Sequence, residues 1–193
     1  MTLKDLILKT RCYRRFYEDV TISLETLTEL VDLARLTSSA KNMQPLRYVI
    51  SANKEMNARI FKTLAWAGYL TDWDGPVEGE RPSGYIVIIR DNSVTENNYC
   101  DHGLATQSIM LGATEKDFGG CVIAAIDKPV LSALLRLSEN MEILLVIALG
   151  KPKEQVILDV LENGDSHKYW RDNNQNQRVP KRKLEDIILQ SFD

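Results

Sequence analysis

The chain has 193 residues, 44% hydrophobic and 26% charged, with a formal net charge of −3; that balance fits a single folded domain over residues 1–193 and excludes a disordered chain. The small negative charge gives no whole-chain electrostatic reason to expect nucleic acid or an anionic membrane as partner. The longest apolar run, Ile143–Leu149, is far short of the ~20 residues a membrane helix needs, and three widely spaced cysteines with only two histidines suit reduced cytoplasmic thiols and no metal site.

Residues 3–10 read as a short helix leading into the basic cluster Arg11-Cys12-Tyr13-Arg14-Arg15-Phe16. Ser23 is a credible N-cap for a helix whose apolar residues Leu24, Leu27, Leu30, Val31 and Ala34 recur at helical spacing. Three hydroxyl residues, Thr37-Ser38-Ser39, should end it. Leu46–Ser51, with Tyr48, Val49 and Ile50 after Pro45, predicts a strand. Residues 54–70 read as helix, followed by a loop to Ser83-Gly84, and Tyr85–Ile89 reads as a strand buried on both faces. A helix over Tyr99–Glu115 is rich in small residues (Gly103, Ala105, Gly112, Ala113) that suit close packing. Cys121–Ile126 and Ile143–Leu149 predict two more buried strands, separated by a helix from Pro129 to Leu135. From Glu162 the chain turns polar and then ends on the apolar stretch Leu184–Leu189, a pattern suited to an arm docking on another surface. Strands alternating with helices allow α/β or α+β, and strand order stays open.

Several chemistries lack their residues. There is no G-x-x-x-x-G-K-[ST] phosphate loop and no G-x-G-x-x-G after a strand. G-x-S-x-G is also missing. Asp101-His102 is a poor catalytic pair, because neighbours on a helix point about 100° apart. So few acid–base candidates suit an enzyme whose cofactor carries the reaction. Arg11, Arg14 and Arg15 lie within five residues, and arginine's rigid donor fork suits phosphate oxygens. From composition alone, a solvated basic face is the commoner outcome.

The order of the segments adds more. Arg11–Phe16 is followed, one helix later, by Ala34-Arg35-Leu36-Thr37-Ser38-Ser39-Ala40-Lys41-Asn42-Met43-Gln44-Pro45. This pair resembles the opening signature of the FMN-dependent nitroreductase family, R-S-x-R-x-F and A-R-x-A-P-S-x-x-N-x-Q-P-W. The resemblance continues through Leu64–Leu70, Pro82–Val87, Gly119–Ile123 and Leu149–Glu154, and closes with Tyr169–Asp172 and Val179–Leu184. It spans nearly the whole chain in the short form of the family. The resemblance implies an α+β fold, a central, mostly antiparallel sheet flanked by helices. It also implies a domain-swapped homodimer in which residues 162–193 form a C-terminal arm on the partner subunit.

The implied cofactor is FMN, with NADH or NADPH as transient electron donor and a small-molecule acceptor such as a nitroaromatic or quinone. Arg11 and Arg14 would grip the phosphate or ribityl chain, with Cys12 and Tyr13 passing close by. Ser38, Ser39, Asn42 and Gln44 would reach the FMN of the partner's site. Ile123, Ala124 and Ala125 would run beside the isoalloxazine, and Lys181 or Arg182 would return to the phosphate. Hydride would pass through the flavin in ping-pong order, with no catalytic side chain named. Trp66 and Trp73 could line an acceptor pocket by stacking, although two packing aromatics are the plainer alternative. The chain departs from the pattern where Cys12 replaces serine, Ser38 proline, Leu46 tryptophan and Ala124 a common glycine. A flavin-dependent dehydrogenase or dehalogenase on the same scaffold, or a flavin-binding dimer without turnover, are the alternatives.

Overall fold

The computed structural model describes residues 1–97 and 99–193. In chain order the elements are α1 (Leu3–Lys9), β1 (Phe16–Tyr17), α2 (Leu24–Arg35), a single 3-10 turn (Ala40–Asn42), β2 (Leu46–Ser51) and α3 (Lys54–Phe61). They continue with β3 (Gly84–Asp91), α4 (Asp101–Glu115), β4 (Gly119–Ile123), α5 (Lys128–Leu135), β5 (Met141–Pro152), β6 (Val156–Leu161), β7 (Trp170–Arg171) and β8 (Gln177–Arg182). Local chemistry sets the helix starts. Ser23, Asn53 and Asp127 each accept a backbone N–H from three residues on, satisfying a donor that has no partner within the helix.

The main sheet is built on β5. The same stretch of β5, Val146–Leu149, pairs with both β3 and β4, so these two strands flank it; β2 then pairs with the far side of β3. Every one of these pairings is antiparallel. β3 is buried along its whole length, which explains its continuous apolar run. Its odd residues Tyr85, Val87 and Ile89 join a core with Phe16, Ile60 and Leu131. Its even residues Ile86 and Ile88 face α2 and α4 through Leu27, Leu30 and Ile109. That alternation is the period-two geometry of a strand covered on both faces.

Three expectations are corrected. The helix expected over 54–70 ends at Phe61. Leu64 instead bridges Ile126, Ala65 N–H donates to Ala125 at 2.9 Å, and Ala67 takes a left-handed φ of 45°. The strand expected to run to Ile126 stops at Ile123, because the chain there turns to meet the Thr63–Ala65 segment. The stretch beyond β5 holds strands that local pattern did not reveal. β6 and β8 pair in parallel and β7 joins β8, making a second, three-stranded sheet across the boundary expected at residue 162. Only the last residues keep the expected exposed apolar character, with Leu184, Ile187, Ile188 and Leu189 all open to solvent.

Candidate functional site

Two sequence segments sit at opposite ends of α4. At its start, Asp101 is buried and holds the 39–40 loop: its carboxylate accepts from Ser39 Oγ at 2.5 Å and Ala40 N–H at 2.9 Å. At its end, Thr10 Oγ1 bonds Thr114 Oγ1 at 2.9 Å, and the chain then runs along the edge of β4, where Cys12 bridges Gly120 and Tyr13 N–H donates to Gly120 O at 2.9 Å. Asp101 and Thr114 lie thirteen residues apart on one helix, which at 1.5 Å per residue is roughly 20 Å. Within one chain, therefore, the anchors of the Arg11–Arg14 segment and the Ser38–Gln44 segment stand roughly 20 Å apart.

The arginine end is rich in unused donors. Arg11 gives one guanidinium N–H to Ile7 O at 2.6 Å, while its Nε is buried with no partner among the described residues. Arg14 is only 8% exposed; it donates to Cys12 O at 3.2 Å and its guanidinium lies 4.2 Å from the centre of the Tyr169 ring. The backbone N–H of Arg14 is taken by Glu154, whose buried carboxylate also pairs with Arg171 at 3.2 Å. Arg15 is committed elsewhere, in a two-pronged pair with Glu80 at 2.6 Å on both prongs. Arg15 with Lys153 holds the Glu80 carboxyl down at about 2, well below the usual range, against the opposing effect of burial. Arg11 and Arg14 are thus the two cations of the cluster with donors left for an anion.

Cys12 lies between them. Its thiol is pulled down to about 6, first by a hydrogen bond from the Cys121 thiol and further by Val122 N–H, Arg14 and Arg11, against burial. The Cys121 thiol is pushed up, by that same hydrogen bond and then by burial. Tyr13 anchors the loop through its hydroxyl, which donates to Lys9 O at 2.8 Å. Cys12 bridges Gly120 near the start of β4, and the parallel sense of that bridge points the arginine loop along the strand towards Ile123, which is buried, with Ala124 and Ala125 exposed just beyond it.

The other segment is a bent loop. Lys41, Asn42 and Gln44 all have left-handed φ values, 53°, 55° and 51°, conformations that β-carbon residues adopt only where the surroundings hold them. Ser39 Oγ does the holding, donating to Asp101 and accepting Gln44 N–H at 2.9 Å. Asn42 and Gln44 side chains stay exposed and touch each other at 3.2 Å. A cavity of about 200 Å³ opens here, with Ser38, Ser39, Gln44, Tyr48 and Asp101 among its lining residues.

Lys181 and Arg182 are exposed at the far end of β8, opposite Val160 and Leu161. β8 starts beside Arg171 at Gln177, and four residues of strand rise carry Lys181 roughly 13 Å away from there. Trp66 is 7% exposed and packs 5.7 Å from Phe61, with Gly75 against its ring. Trp73 is half-buried under the Arg171 guanidinium, 4.2 Å from its ring centre. Of these two aromatics, Trp73 keeps the more open surface.

Two features were not legible in sequence. Asp101 falls near the start of the helix predicted over Tyr99–Glu115, yet its carboxylate shapes the Ser39 loop from 62 positions away. A larger cavity, about 500 Å³, lies between α3 and the 78–85 segment, with Phe61, Arg81, Ser83 and Tyr85 among its lining. Arg81 lies 4.6 Å over the Phe61 ring, and its Nε and Ser83 Oγ are buried without partners among the described residues. No local motif marks either feature.

The profile of the Nitroreductase family matches residues 7–71 and 80–151. The chain belongs to the Nitroreductase family, and its class as an oxidoreductase follows from that membership. A relative from Archaeoglobus fulgidus, provisionally named an NADH dehydrogenase/NAD(P)H nitroreductase, is 26% identical over 154 residues, covering 76% of this chain and 83% of that one. Among solved structures, an FMN-dependent nitroreductase from Clostridium difficile R20291 aligns with a TM-score of 0.65 at 20% identity, over 89% of this chain and 99% of that one. A nitroreductase family protein from Streptococcus pneumoniae TIGR4 gives a TM-score of 0.66 at 17% identity, over 86% and 95% of the two chains. The α+β nitroreductase fold is therefore the fold of this chain.

Proposed function

We propose that the protein is an FMN-dependent oxidoreductase that takes hydride from NADH or NADPH and reduces small acceptors such as nitroaromatics or quinones. Two copies share each site. The observation that carries this reading is the separation along α4: one chain offers an arginine loop with unpaired donors at one end and a pre-bent polar loop at the other, roughly 20 Å away. Two chains related by a two-fold axis would bring unlike ends together twice, as an isologous dimer does.

The residues present fit such a cofactor. Arg11 and Arg14 would hold its phosphoryl group, using the buried Arg11 Nε that otherwise lacks a partner. The exposed residues Ala124 and Ala125 would border the ring. Ser38, Ser39, Asn42 and Gln44 of the second copy would close the site, held in shape by Asp101. Lys181 or Arg182 would add charge to the phosphoryl group, also from the second copy, since β8 carries both residues away from Arg171 and the arginine loop of its own chain. The exposed Leu184–Leu189 stretch of the 162–193 arm would dock on that copy. When bound, the flavin supplies a two-electron carrier; the protein binds and orients it and excludes water. The family relatives named for NAD(P)H and FMN support the donor and the cofactor. No described helix is long and apolar enough to cross a membrane, and the three free cysteines suit a cytoplasmic setting.

The test is optical. Protein purified with FMN should be yellow, bleach on addition of reduced nicotinamide without oxygen, and regain colour when a quinone or nitroarene follows. A protein that is colourless once free flavin is removed after incubation with excess FMN contradicts the reading.

A further inference from the structure

Cys12 and Cys121 come from segments more than a hundred residues apart, yet Cys12 packs against the buried cluster that holds Cys121. The backbone explains the meeting. Cys12 bridges Gly120 on the edge of β4, so Cys121 is one residue along the facing strand. Strand spacing and rise then put the two Cα atoms roughly 5.8 Å apart, inside the 4.4–6.8 Å range that a disulfide spans. Their environments differ: Cys12 is half-buried and Cys121 is buried. Cys12 also has Val122 N–H and two guanidinium groups to favour its thiolate, the setting of a reactive cysteine. Cys100 is exposed, at the residue that precedes α4.

We propose that Cys12 and Cys121 form a redox-active dithiol that closes to a disulfide when the oxidant is a low-molecular-weight disulfide of the glutathione class. The Cys12 thiolate attacks one sulfur of the oxidant, forming a mixed disulfide and releasing one thiolate. Cys121 gives its proton to solvent and attacks the Cys12 sulfur, forming the internal bond and releasing the second thiolate. Two cysteine sulfurs are oxidised, and the small disulfide is reduced to two thiols. Closure ties the arginine loop covalently to β4 and removes the Cys12 charge from between Arg11 and Arg14. The chemistry stands whether or not a flavin binds.

The experiment uses the protein as purified, incubated with oxidised glutathione, quenched in acid, alkylated and mapped by mass spectrometry without reductant. The expected product is a linked Cys12–Cys121 peptide pair lacking two hydrogens, with Cys100 outside the link. In Cys121→Ser the reaction should stop with glutathione retained on Cys12, and Cys12→Ser should abolish the link. Alkylation of Cys12 by iodoacetamide in the wild type should reach half its maximal rate near pH 6, against ~8.5 for an ordinary thiol. A wild-type protein that keeps glutathione on Cys12 without linking overturns the proposal. So does one whose Cys12 and Cys121 are both alkylated after Cys100 has taken up glutathione. The wild-type map decides even if a variant misfolds.

Discussion

A shared site predicts that two differently damaged chains repair each other. One variant carries Arg11→Ala and Arg14→Ala; the other carries Asn42→Asp and Gln44→Glu, changes of similar shape that remove amide donors from residues already exposed. Each charge-assisted hydrogen bond contributes about 1.5–3 kcal/mol, so losing both arginines should weaken FMN binding by roughly 3–6 kcal/mol, a factor on the order of 10²–10⁴. Each variant alone should be nearly inactive at limiting FMN, with its thermal melting checked first. When equal amounts are unfolded together and refolded, random pairing makes half the dimers mixed. Each mixed dimer then holds one site with neither lesion and one with both, so recovered activity should approach about one quarter of the wild type. Recovery no greater than the average of the two variants would place both loops in a site within one chain. That outcome would refute the 20 Å argument built on α4.

Two further outcomes concern stability. Because Glu80 titrates at about 2 in the folded chain, its pairing stabilises fully above the ordinary carboxylate range near 4.5, and that contribution fades as pH falls from there towards 2. Glu80→Gln should remove ~1–2 kcal/mol at pH 7 after allowance for solvent screening and flatten the acid limb of a denaturation series; an unchanged limb would deny the Arg15 pair its role. A β-carbon on Gly112 would lie 2.4 Å from Leu33 Cδ1, whereas one on Gly103 would meet nothing within 4 Å. Gly112→Ala should therefore cost ~1–3 kcal/mol by overpacking, while Gly103→Ala should gain up to ~1 kcal/mol from helix propensity. Urea midpoints moving in the same direction for both would contradict the packing between α2 and α4.

Much of the fold was legible because it rests on short-range rules. The Ser23 cap, the helical spacing of Leu27, Leu30 and Ala34, and the β-branched runs of β2 and β3 each depend on neighbours within a few residues. The Arg11–Phe16 and Ser38–Pro45 segments were legible as a pair because their order and spacing matched a family pattern. Local pattern misled where a long-range contact overrode it. Residues 62–67 have acceptable helical composition, yet Ala65 bonds Ala125 instead. β6 and β8 are a parallel pair, whose partner choice no local period encodes. Gly103 and Gly112 share one helix and one residue type, and only the position of α2 tells the packed one from the open one.

The sequence by itself determined the Ser23 cap, strands β2 to β5 and the cationic loop, since each follows from residue type and nearby spacing, and it determined the family through the order of its segments. Tertiary structure alone decided that Arg15 belongs to Glu80 while Arg11 and Arg14 keep spare donors, that Asp101 shapes the Ser39 loop, and that Cys12 meets Cys121. Those pairings join residues 62 to more than a hundred positions apart. The physical reason is chain closure: which distant groups meet depends on how the whole sheet and α4 pack, and a linear pattern of side chains carries no such distance.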